Sequence, residues 1–89
     1  MSWNISFSSQ AVKFIAKNHL TEDEILEKIK LAIRKFNGEP VSVDIKKLGG
    51  KWGGFYRLRS GKIRLIVEFK LESESAFIEV IDWRGNVYK

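Results

Sequence analysis

The chain has 89 residues, is 44% hydrophobic and contains no cysteine. That length predicts a single domain spanning residues 1–89. The missing thiols exclude disulfides and thiolate metal centres, leaving a hydrophobic core to hold the fold. Net charge is +5, and the excess lies in one half: residues 1–45 balance six basic against six acidic side chains, residues 46–89 carry ten against five. A basic surface on one side of a small protein is the footprint of a polyanion partner.

In chain order, Trp3, Ile5 and Phe7 alternate with polar residues and predict a half-buried strand. Ser9 is the expected N-cap of a first helix burying Ala11, Phe14 and Ile15 and ending near Lys17-Asn18. Thr21 and Glu24 have capping-box spacing, acids fill the following turn, and Ile25, Ile29, Ala32, Ile33 and Phe36 form one apolar stripe. A second helix is therefore expected from about Glu22 to Phe36 or Asn37, stopped by Gly38. Residues 41–48 predict either a short strand or an irregular crossing. Gly49-Gly50-Lys51-Trp52-Gly53-Gly54 is a flexible loop with a cation and an aromatic at its centre.

Phe55–Arg59 and Lys62–Lys70 alternate as strands, with Ser60-Gly61 as the expected two-residue turn. That register sets Arg59 opposite Lys62 and Arg57 opposite Arg64. It collects Arg57, Arg59, Lys62 and Arg64 on one face, and Tyr56, Leu58, Ile63 and Leu65 on the other. Like charges opposite each other cost roughly 0.2–1 kcal/mol per pair, so their concentration points to an anion site rather than to stability. Residues 72–75 read as a polar turn, and Ala76–Asp82 as a last strand burying Ile78 and Val80. The order β-α-α-β-β-β predicts an α+β fold with two helices packed on one face of a small, mainly antiparallel sheet. No apolar run approaches the about 20 residues of a membrane span, and the opening residues lack a signal-peptide core, so a cytoplasmic protein without membrane contact is expected. His19, the lone histidine, falls in an inter-helix loop and suggests neither a ligand nor a catalyst.

Leu48-Gly49-Gly50, Phe55-Tyr56-Arg57-Leu58-Arg59, Gly61-Lys62-Ile63-Arg64-Leu65 and Arg84-Gly85-Asn86-Val87-Tyr88-Lys89, with the opening strand and helical pair, resemble the RelE/ParE toxin superfamily. The resemblance spans nearly the whole chain. It implies the toxin of a toxin–antitoxin pair, with a RelB-like antitoxin as partner. Its RelE branch cuts messenger RNA in the ribosomal A site, whereas its ParE branch poisons DNA gyrase without cleaving; Arg84 and Tyr88 favour the RelE branch. The reaction implied is metal-independent attack of a 2′-hydroxyl on its adjacent phosphate.

On that reading Arg57, Arg59, Arg64 and Arg84 would surround the scissile phosphate, since a guanidinium matches phosphate oxygens and keeps its charge. Tyr88 would stack on or orient the nucleotide, or else seal the core. Lys46, Lys47, Lys51, Lys62 and Lys89 would add phosphate affinity, and Trp52 would stack on RNA or fold back onto the core. Arginine at position 59, where relatives often carry a lysine proposed as base, leaves the base unassigned; Asp44 and Glu68 are weak substitutes. No cofactor or metal is implied.

Overall fold

A computed structural model describes residues 3–83, so the expectations placed on Arg84, Tyr88 and Lys89 lie outside the described residues. The elements are β1 (Asn4–Phe7), α1 (Ser9–Lys17), α2 (Glu22–Phe36), β2 (Asp44–Lys47), a single 3-10 turn (Gly50–Trp52), β3 (Phe55–Ser60), β4 (Ile63–Lys70) and β5 (Ser75–Trp83). The sheet order is β1-β5-β4-β3-β2, with β1 parallel to β5 and every other pair antiparallel. This is the anticipated α+β arrangement.

Local chemistry explains the helix limits. Thr21 Oγ1 accepts from the Glu24 amide at 3.2 Å while the Glu24 carboxylate accepts from the Thr21 amide at 3.3 Å, a complete capping box. For α1 the cap is Ser8, one residue earlier than expected. Its hydroxyl accepts from the Ala11 amide and donates to the Glu79 carbonyl at 2.6 Å, so one side chain both starts the helix and ties it to β5. Gln10 reinforces the tie: its side-chain amide bonds both the carbonyl and the amide of Ile81, at 2.8 and 3.0 Å.

Ala11, Phe14 and Ile15 of α1 and Ile25, Ile29, Ala32 and Ile33 of α2 bury against Leu58, Leu65, Val67, Phe69, Ala76, Ile78 and Ile81. Each of the larger side chains contributes roughly 1.5–3 kcal/mol on leaving water, and each alanine less than about 1 kcal/mol. The helices therefore cover one face of the sheet; no described helix lies on the other, the open face, although Ile66 there is 0% exposed.

Two features of the register differ from expectation. Gly61-Lys62, not Ser60-Gly61, forms the β3–β4 turn: Gly61 at φ 60° is the loop residue with positive φ, and a two-residue hairpin with glycine first is the type II′ pattern. Sliding the turn by one shifts the pairing by two, so Arg59 lies opposite Arg64 and Arg57 opposite Ile66. A shift of two preserves each residue's face. In β5, Ile66 pairs with Val80 but Val67 pairs with Ile78, leaving Glu79 as the extra residue of a bulge. Beyond it the alternation inverts, so Ile81 is fully buried in the core while Val80, expected there, sits half-buried on the open face.

Candidate functional site

Opposite residues in neighbouring strands share a face, so the register gives the open side row by row. One row crosses four strands as Asp44, Arg59, Arg64 and Asp82. The next runs Lys46, Arg57, Ile66 and Val80, and a third runs Phe55, Glu68, Phe77 and Ser6. Arg57, Arg59 and Arg64 do come together on the open face, with the exposed Lys46 beside them. Lys62 occupies the exposed turn at the hairpin tip instead of a ladder position. Lys47 lies opposite Tyr56 and so takes the helix-side face at the sheet edge, apart from the other cations.

The arginines are not a bare cluster. Asp44, on edge strand β2, accepts from Arg57 Nη2 at its Oδ1 and from Arg59 Nε at its Oδ2, each at 2.8 Å. One carboxylate thus bridges two guanidiniums, which offsets the like-charge cost of stacking Arg57, Arg59 and Arg64. Asp44 carries no signal of this in the sequence, because the pairing spans 13 and 15 residues and depends on β2 adding to β3.

The bridge consumes little donor capacity. A guanidinium has five N–H donors, and Arg59 uses only Nε. Its terminal nitrogens make no hydrogen bond among the described residues. The Arg59 side chain is 30% exposed and Asp44 47%, while Arg57 retains 15% and has a buried Nε without a hydrogen-bond partner. Arg59 therefore presents the more accessible fork, and Arg57 lies deeper. The bridge also fixes both planes from the β2 side, so their remaining donors are preorganised.

At the other end of the open face the chemistry changes. Trp52 packs edge-to-face on Phe55 with ring centroids 5.3 Å apart. Its ring is a neighbour of the open face, outside the core cluster. Lys51, beside it in the 3-10 turn, is exposed. Glu68 lies between Phe55 and Phe77, four residues along β4 from Arg64 and diagonal to Arg57 across the β3–β4 ladder. Trp83 packs edge-to-face on Phe14 with ring centroids 5.2 Å apart. Among the described residues no group of His, Asp and Glu is arranged to hold a metal ion, and no helix is long and apolar enough to cross a membrane.

No protein-family model matches the sequence, and no curated protein matches it. Solved structures do match in fold along essentially the full length. YafQ from E. coli strain BL21(DE3) aligns with a TM-score of 0.67 at 17% identity, covering 99% of this chain and 100% of that one. The archaeal RelE–RelB complex from Pyrococcus horikoshii OT3 aligns at 0.61 with 24% identity, over 97% and 99% of the two chains. The E. coli DinJ–YafQ toxin–antitoxin complex gives 0.67 at 18% identity, covering 100% of both. At these identities the likeness is one of fold.

Proposed function

We propose that this chain, which carries the fold of the RelE and YafQ toxins, is itself the toxin of a toxin–antitoxin pair and an endoribonuclease acting on messenger RNA at the ribosome. The observation that carries the reading is the Asp44-braced pair Arg57 and Arg59 beside Arg64 on the sheet face away from the helices. Metal-independent cleavage by a 2′-hydroxyl requires extra negative charge on a five-coordinate phosphorus to be neutralised as it develops. Fixed guanidinium donors do this without reorganising at the moment of reaction. In this reading Arg59 and Arg64 grip the non-bridging oxygens and Arg57 supports the local field. Arg84, which follows β5 in sequence, adds a further cation, and Tyr88 stacks on the nucleotide at the cut. Lys46, Lys51, Lys62 and Lys89 hold neighbouring phosphates and raise affinity more than rate; Lys47, on the helix side, contributes least.

Asp44 is a poor proton acceptor while it binds two cations, so the 2′-proton leaves by another route, and Asp44 serves as a positioning residue. A cognate antitoxin carrying acidic side chains would silence the protein by occupying the same cations.

The test is induction from a tightly controlled promoter, followed by mapping of transcript 5′ ends. Cuts inside translated frames, lost in Arg64→Ala and Arg84→Ala, are expected. Growth arrest with intact messages and a DNA-damage response would transfer the protein to the gyrase-poisoning class that shares this fold.

A further inference from the structure

The open face carries a second site, unused by the cleavage reading. A cavity of about 270 Å³ opens between β1, β5 and β4, lined by Asn4, Ser6, Glu68, Lys70, Ser75 and Phe77. Phe77 is half-buried on the open face and lies opposite Glu68 in the ladder. It takes part in no aromatic pair among the described residues, unlike Phe14, Phe36, Phe55 and Phe69. Glu68 is a half-buried residue whose carboxylate makes no hydrogen bond or ion pair among the described residues, and the exposed Lys70 makes none either. Neither Glu68 oxygen is among the buried unpartnered atoms, so the carboxylate is open to donors from a ligand, and it borders an aromatic wall.

We propose that this cavity binds a nucleobase of single-stranded RNA, and that guanine is the base it selects. An aromatic ring on an exposed sheet offers a stacking surface for an unpaired base. An ionised carboxylate only accepts hydrogen bonds and has two oxygens to do so. Guanine presents two adjacent donors, N1–H and the N2 amine, that match both oxygens. Adenine and cytosine set a single amino donor beside an acceptor, and uracil has one N–H between two carbonyls. Lys70, two residues along the same face and so roughly 7 Å from Glu68 along β4, supplies a donor for the acceptor edge, O6 and N7. Glu68 lies about 13 Å along β4 from Arg64 at about 3.3 Å per residue, so the selected base belongs to a different nucleotide from the one whose phosphate Arg59 and Arg64 hold. The inference rests on the reading of this protein as RNA-acting.

The experiment measures binding of the full chain to short single-stranded oligoribonucleotides that are uridine throughout except for one central guanosine, inosine, adenosine or cytidine. The guanosine oligomer is expected to bind about tenfold more tightly than the others, with inosine, which lacks the N2 amine, losing most of that margin. Glu68→Gln should erase the difference between guanosine and inosine, and Phe77→Leu should weaken every oligomer that carries a central purine. Equal binding of all oligomers, no binding to any, or a guanosine preference unchanged in Glu68→Gln would overturn the proposal. A preserved guanosine preference in a protein that leaves cellular messages intact would remove the cleavage reading alone. Message cleavage without base discrimination would remove the pocket alone.

Discussion

The two faces of strand β4 show how differently one sheet can treat its side chains. Leu65, Val67 and Phe69 point to the helices and are buried at 1%, 0% and 6% exposure, each held by non-directional packing. Arg64, Ile66 and Glu68 point the other way, into rows where charge and aromatic character vary from strand to strand. On the helix side any apolar residue of the right volume serves. On the open side the identity of each neighbour matters, because a guanidinium is useful or costly depending on the carboxylate beside it. Stability should therefore reside in one face and RNA chemistry in the other.

Truncating the packed face should produce the largest change. Leu65→Ala is expected to cost about 2–5 kcal/mol in chemical denaturation, enough to threaten a domain of this size. A loss below 1 kcal/mol would mean that the helix side is not the main source of stability. On the open face, Arg59→Ala should change stability by about 1 kcal/mol or less while lowering message cleavage by about a hundredfold or more. Comparable losses in both measurements would erase the division between the faces.

Asp44→Asn separates charge from orientation. Removing the bridging carboxylate should tighten non-specific RNA binding at low salt and steepen its salt dependence, yet slow cleavage by about tenfold, since both guanidiniums lose their common brace. Faster cleavage would show the carboxylate to be an inhibitor instead of a support. Ser8→Ala should cost about 1 kcal/mol, the usual worth of a helix cap. It also removes the bond to the Glu79 carbonyl, so amide exchange around residues 79–81 should accelerate more than in the middle of α2.

Much of this division could be read from sequence, and the reasons are specific. The Thr21/Glu24 spacing defines α2 because its capping box is made within four residues, and the alternation of β3 and β4 assigns their paired side chains to the correct faces, Lys62 excepted because it lies in the turn. The turn position is ambiguous in sequence because Ser60-Gly61 and Gly61-Lys62 both contain the glycine, and type II′ geometry prefers it first. Val80 reads as a core residue because Ala76, Ile78 and Val80 alternate without interruption. Only the adjacent apolar pair Val80-Ile81 hinted that a bulge intervenes. Ser8 and Ser9 are equivalent as caps on paper; the Glu79 carbonyl chooses Ser8. Asp44 was the least legible, since its partners come from another strand and nothing local marks a carboxylate that will bridge two arginines.

The most direct measurement is the chemistry of the ends left on a ribosome-bound message after incubation with the purified protein. A 2′,3′-cyclic phosphate on one fragment and a 5′-hydroxyl on the other, formed by the intact chain and not by Arg59→Ala, is the predicted result. Uncut message, or fragments bearing a 5′-phosphate, would contradict an open sheet face that works by stabilising 2′-hydroxyl attack.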